Sequence, residues 1–205
     1  MAKEEVYITD SCVISNKTVY HNGIAVFTGE EPSLPDLLLA AYKHFAIEYP
    51  KFYKMDTLSK LGFLATEILL KDGAVQQYAP EEKGIVLTNA SASLDTDLKY
   101  FATVQEIASP ALFVYTLPNI VIGEICIRNN FKGENGFFVF KQFDATFIQQ
   151  YISNLFASGG LKACIGGWTE VLDDAYKTVL FLVQKEQRGQ AIPFSTENIN
   201  HIYQL

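Results

Sequence analysis

Residues 56–72 constrain the fold more than any other segment. Leu58, Leu61, Ala65, Ile68 and Leu69 recur at helical spacing on one face. Asp56 stands just ahead of them, where its carboxylate can accept an orphan backbone N–H and cap the helix. A helix with such a stripe has to bury it against another layer. Strand-like runs supply that layer. Residues 5–14 begin with alternation and β-branched residues, and Gly84–Leu87 and Gly136–Phe140 read as short strands. Lys162–Ile165 reads as a strand ending in Gly166-Gly167, and Thr178–Val183 as another. Asp144–Phe156 is a second amphipathic helix, with Ile148, Tyr151, Ile152 and Leu155 on one face and Gly159-Gly160 as its stop. Strand, helix, strand, helix, strand, strand predicts an α/β layered domain.

Other segments are less definite. Residues 22–35 carry the turn signals Asn22-Gly23, Gly29, Pro32 and Pro35. Leu34–Tyr49 has room for a short helix, stopped by Pro50, and residues 91–105 are mixed polar and compatible with helix. Pro110 and Pro118 punctuate an apolar run, after which Ile120–Ile127 fits a helical or an extended pattern equally well. The polar tail from Gly189 is expected to fray or to cross to a neighbour. The organisation read from this is one domain over residues 1–188 and a C-terminal tail over 189–205.

With 49% hydrophobic and only 19% charged residues, the 205-residue chain can hold either a large core or a large buried interface. Its net charge of −7 and the lack of a basic stripe exclude nucleic-acid binding; Lys51 and Lys54 read as solvated lysines. Cys12, Cys126 and Cys164 each sit in an apolar run without a CxxC, which suits core thiols in a reducing compartment. The charged opening Met-Ala-Lys-Glu-Glu contains no apolar signal region, and no apolar stretch approaches the ~20 residues a bilayer requires. A cytoplasmic protein without membrane contact is expected. Asp95 and Asp97 with Ser91 and Ser93 lack the glycine and distal glutamate of a calcium loop and read as a solvated turn. Asp173-Asp174 reads as a solvated helix cap. Neither glycine pair fits a phosphate cradle, and no cofactor or metal is called for.

Four segments, in order, resemble the N-terminal half of the β-ketoacyl synthases, members of the thiolase-like fold. Val6 to Ser15 is similar to the family's opening V-V-I-T-G-x-G-x-V-S. Lys54-Met55-Asp56 and the helix after it resemble K-M-D-R-x-x-x-x-A-x-x-A. Pro118, Asn119, Gly123 and Arg128, followed by Lys132-Gly133-Glu134-Asn135, resemble I-P-N-M-x-x-G-x-x-S-I-R and K-G-P-N at the family's spacing. Ala163 to Glu170, with Gly166, Gly167 and Glu170, resembles V-M-x-A-G-G-x-E. The resemblance implies a layered αβα half-fold around a mixed sheet.

The departures bear on function. In the family a nucleophilic cysteine follows the Lys-Gly-Pro-Asn strand at the start of a helix, where the dipole and backbone N–H groups stabilise thiolate and oxyanion. Seven residues beyond Asn135 stands Gln142, and an offset of one gives Lys141 or Phe143; none can form a thioester. Gln142 is either a decayed position or a substitution similar to that of chain length factors, the inactive partners of condensing enzymes. The family's two catalytic histidines belong to a C-terminal half, whereas His21, His44 and His201 sit in no matching context and read as surface or loop residues. Glu134 replaces the family's proline. Phe137, Phe138, Phe140 and Phe143 cluster near the lost site, as core packing, as a plug for the acyl chain's space or as a wall of a partner's tunnel.

The resemblance implies a non-catalytic accessory subunit of a fatty-acid, aryl-polyene or polyketide-type condensing system. It would be a homodimer or a heterodimer with a full-length synthase, paired edge to edge near Gly136–Phe140, with acyl carrier protein a further candidate partner. The alternatives are a minimal synthase or acyltransferase with a relocated nucleophile, Cys126 or Cys164, and a free-standing small-molecule-binding half domain.

Overall fold

The computed structural model describes residues 5–187 and 189–205. The charged opening Met1–Glu4 and position 188, where the domain boundary is expected, lie outside the described residues. Strands β1 (Tyr7–Ser15), β2 (Thr18–His21) and β3 (Ile24–Thr28) form an antiparallel meander. The helices α1 (Leu34–His44) and α2 (Thr57–Leu69) follow, then β4 (Lys83–Asn89), α3 (Leu94–Val104), α4 (Pro110–Phe113) and α5 (Ile120–Asn129). The chain ends with β5 (Asn135–Val139), α6 (Ala145–Ala157), the hairpin β6 (Ala163–Leu172) and β7 (Ala175–Gln184), β8 (Ile192–Pro193) and α7 (Thr196–Tyr203). The sheet runs β3-β2-β1-β7-β6-β4-β5, with β8 beside Tyr7 and Ile8 of β1. It is mixed: β4 lies parallel to β5 and β6, and the remaining pairs are antiparallel.

Period-2 alternation divides the core into two layers. Ile85 and Leu87 of β4 and Leu180 and Leu182 of β7 point to the side of α1, α2 and α5. Val86, Val179, Phe181 and Val183 point to the side of α6 and α7. In β1 the parity changes along the strand, since Ile8 faces the α6 side and Cys12 and Ile14 the other. An irregularity in its register against β7, between Ile8 and Asp10, inserts the extra residue that turns the faces over.

The structure revises several sequence expectations. Ile24–Thr28, within the run of turn signals, is a strand, because Asn22-Gly23 closes a tight hairpin with both residues at positive φ. The expected strand Lys162–Ile165 does not stop at Gly166-Gly167 but continues to Leu172. Asp173-Asp174 forms the β6–β7 hairpin turn, with Asp173 at φ 53°, and caps no helix. Ile120–Ile127 is helical. The segment beyond Gly189 neither frays nor departs: Phe194, Ile199 and Ile202 are buried in the α6 layer. Asp95 is buried at the start of α3, where it accepts from the Asp173 N–H and pairs with Lys99 at 2.6 Å. Lys51 is held 2.8 Å from the buried carboxylate of Glu124. His21 is an inward residue of β2, 3.7 Å from Asp10, and burial pushes its pKa down. Among the described residues no helix is long and apolar enough to cross a membrane.

Candidate functional site

The parallel strands β4, β5 and β6 converge at their C-terminal ends, the usual location of ligand sites in open α/β sheets. The Phe140 N–H donates to the Asn89 carbonyl at 2.9 Å, fixing the chain that leaves β5 against the end of β4. Phe140-Lys141-Gln142-Phe143 then connects β5 to α6. Lys141 and Gln142 are exposed, and Phe143 is half-buried. Asp144 caps α6, its carboxylate accepting from the Phe147 N–H at 2.9 Å. An open depression of about 470 Å³ lies over this turn, bordered also by Thr146 and by Asn200 of α7.

The electrostatics of this helix start run against thiolate chemistry. The positive end of a helix favours one nearby anion. Here the Asp144 carboxylate already occupies that place and would repel a second negative charge. Gln142 brings an amide, which neither ionises nor attacks a thioester. Burial disfavours the thiolate at both thiols considered as relocated nucleophiles. Cys164 is fully buried and its pKa is pushed up by burial; Cys126 is half-buried and pushed up to about 11 by the same cause.

The tail contributes to the site in a way no sequence signal announces. Tyr203 of α7 stacks on Phe143 with centroids 3.9 Å apart and an interplanar angle of 6°. Lys177 of β7 lies 4.5 Å over the other partner of that stack, Tyr203. Burial raises the Tyr203 pKa, with Glu170 adding to the effect, and burial lowers that of Lys177. Phe143 also meets Trp168 edge-on at 6.0 Å, so the aromatic residue beside Gln142 is fixed from two directions. The other phenylalanines divide by strand parity. Phe137 packs into the α2 layer, while Phe138 and Phe140 contact Phe147 of α6 at 5.0 and 4.6 Å.

The remaining motif residues separate by location. Glu170 belongs to the same sheet end as Gln142: its carboxylate accepts the backbone N–H groups of Ala90 and Ser91, holding the turn after β4. Gly167 sits at φ 153°, where a Cβ would overlap the Val179 carbonyl oxygen of the neighbouring strand. A Cβ on Gly166 would collide with the Phe181 ring. These glycines therefore serve close strand packing inside β6. Gly133 leads into β5, where an added Cβ would lie 2.6 Å from the Glu81 carbonyl and 2.7 Å from that of Lys83. Asn135 opens β5 opposite Ile85, and Glu134 is exposed beside it. Pro118, Asn119, Gly123 and Arg128 lie on or just before α5, which packs against α2, whereas Gln142 stands just ahead of α6. Arg128 binds Glu67 of α2 through Nε at 3.1 Å and a terminal nitrogen at 3.0 Å and covers the Tyr49 ring, which anchors α5 to α2. His44 and His201 are exposed, on α1 and α7.

No protein-family model matches the sequence, and no curated protein matches it. Solved structures do match. The chain is similar to the ishigamide ketosynthase/chain length factor at 17% identity and TM-score 0.64, over 92% of this chain and 64% of that one. It is similar to a structure from Xenorhabdus doucetiae of a ketosynthase in complex with its chain length factor, at 12% identity and TM-score 0.56, over 98% and 90% of the respective chains. A β-ketoacyl synthase from Burkholderia phymatum is similar at 12% identity and TM-score 0.58, over 89% and 59%. The chain thus spans less than two thirds of the matched chain in the first and third of these. At such identities the likeness establishes architecture: this is the thiolase-like α/β fold of ketosynthases and chain length factors.

Proposed function

We propose that the chain is a non-catalytic, β-ketoacyl-synthase-like accessory subunit of a fatty-acid, aryl-polyene or polyketide-type condensing system, working in the cytoplasm beside an active synthase. One observation carries the reading. The turn at which the family's nucleophile would stand holds Gln142, and the helix behind it is capped by the Asp144 carboxylate. The fold likeness to ketosynthases and to their chain length factors supports a partner role. So does the free edge of β5, which pairs only with β4 among the described strands and has Val139 51% exposed at its end. An open edge of this kind invites pairing with another chain. Acyl carrier protein would reach the assembly through the active subunit.

Intact-mass spectrometry after incubation with malonyl- and acyl-loaded carrier protein tests the catalytic half of this reading. The expected result is an unmodified chain and no release of carbon dioxide. A mass increase of one acyl group, or decarboxylation by the isolated protein, would overturn it.

A further inference from the structure

Helix α7 inserts an aromatic ring into a slot at the end of the sheet. The Tyr203 ring lies parallel to Phe143, with centroids 3.9 Å apart and an interplanar angle of 6°. That stack fills one face of the ring, so the Lys177 ammonium, 4.5 Å from the centroid, takes the other. The walls of the slot belong to the sheet and its turns, not to the tail. Phe143 is held edge-on by Trp168, which is buried in β6. Lys177 stands opposite Glu170 in the β6–β7 ladder. Glu170 is fixed in turn, because its Oε2 accepts the N–H groups of both Ala90 and Ser91. Its Oε1 is buried and has no hydrogen-bond partner among the described residues. An acceptor shielded from water without a donor is costly. Glu170 is near enough to Tyr203 to raise the phenol's pKa.

The tail that fills the slot has few anchors. Beyond Gly189, at φ 56°, β8 pairs two residues with Tyr7 and Ile8 of β1. Helix α7 buries two of its eight residues, Ile199 and Ile202, and the Leu205 carbonyl accepts from the Ser15 hydroxyl at 3.3 Å. Phe143 also borders the depression over Gln142, whose rim includes Asn200 of α7. Withdrawal of α7 would therefore join the slot to that depression. We infer that the slot is a binding site for a small phenolic ring and that α7 is the gate that closes it, with Tyr203 standing where the ligand would lie. The inference does not depend on the function proposed above. Phe143 supplies a stacking face, Lys177 a cation over an electron-rich ring, and Glu170 Oε1 an acceptor for the hydroxyl. A ring bearing a carboxylate would be repelled by Glu170 and Asp144, and a plain arene would leave Oε1 without a donor.

The test measures calorimetric binding of p-cresol, toluene and p-toluate to the full chain and to Tyr203→Ala and Tyr203→Phe, with circular dichroism to confirm that the variants fold. Tyr203→Ala is expected to bind p-cresol about tenfold more tightly than toluene, the worth of one hydrogen bond, and p-toluate more weakly than either. Tyr203→Phe still fills the slot and should bind p-cresol as weakly as wild type. A second measurement needs no variant: on the wild-type chain, p-cresol at high concentration should speed amide hydrogen exchange in α7, because ligand and tail compete for one place. Equal binding of toluene and p-cresol by Tyr203→Ala would reduce the slot to an apolar cavity. Binding of p-cresol by Tyr203→Phe as tight as by Tyr203→Ala would place the ligand elsewhere. Unchanged exchange in wild-type α7 would make the helix a fixed part of the fold and no gate. Each of these results overturns the inference.

Discussion

Helices α2 and α3 are linked side by side through the Thr96–Asp56 hydrogen bond, yet they stand in opposite relation to the core. Of the thirteen residues of α2, ten are buried; of the eleven of α3, two are, and both of those are polar. Each helix has an apolar face. That of α2 lies across the centre of the sheet against β1, β6 and β7. That of α3 points away from the molecule. Amphipathic spacing thus identifies a face that needs covering but does not say whether the chain's own sheet or another molecule covers it.

The sharpest way to break this comparison is to substitute one residue in each helix. Leu64 is fully buried in α2, so Leu64→Ala removes methylene contacts and leaves a cavity. A loss of about 3 kcal/mol is expected in urea unfolding. A loss below about 1 kcal/mol would mean that α2 is packed no more tightly than α3.

The link between the helices comes next in size. Asp56 caps α2 by accepting the Ser59 N–H at 2.9 Å and also receives the Thr96 hydroxyl. Asp56→Ala is expected to cost about 1–2 kcal/mol. A smaller contribution is visible in pH. Burial holds the Asp56 carboxyl above its ordinary range against the opposing hydrogen bonds from Ser59 and Thr96. The folded state then binds this proton more tightly than the unfolded chain. Between the ordinary carboxylate pKa and the raised one, its contribution to stability falls as pH rises. Asp56→Asn keeps a cap acceptor but removes that slope, so a urea titration across mildly acidic pH should show a flatter dependence in the variant. An unchanged slope would assign the effect to another carboxyl.

The smallest effect is expected on α3. Phe101→Glu alters an exposed residue and should change stability by no more than about 0.5 kcal/mol. A large loss would show that the outer face of α3 is covered within the monomer.

Much of the fold was legible because its signals are local. The α2 stripe with Asp56 ahead of it, the α6 stripe between Asp144 and Gly159, and the apolar runs of β4 and β7 each carry their period within a few residues. Counting from Asn135 leads to Gln142, which stands two residues ahead of Asp144, the N-cap of α6. Hidden in the sequence were groups whose meaning comes from a distant partner. Gly166-Gly167 looked like a strand end because a glycine pair interrupts apolar residues. Only the approach of Val179 and Phe181 from β7 shows that the pair permits close packing within a continuing strand.

The division has a physical basis. By itself the sequence determined the main helices and strands and the lack of a thiol or hydroxyl at residues 141–143, since propensity, capping and functional-group chemistry are properties of short segments. Tertiary structure decided that Tyr203 would stack on Phe143, that polar Asp95 would be buried, and that Phe101 would face solvent. Those outcomes depend on which surfaces meet once the sheet has formed, and residues 60 or 78 positions apart in the chain carry no local record of that meeting.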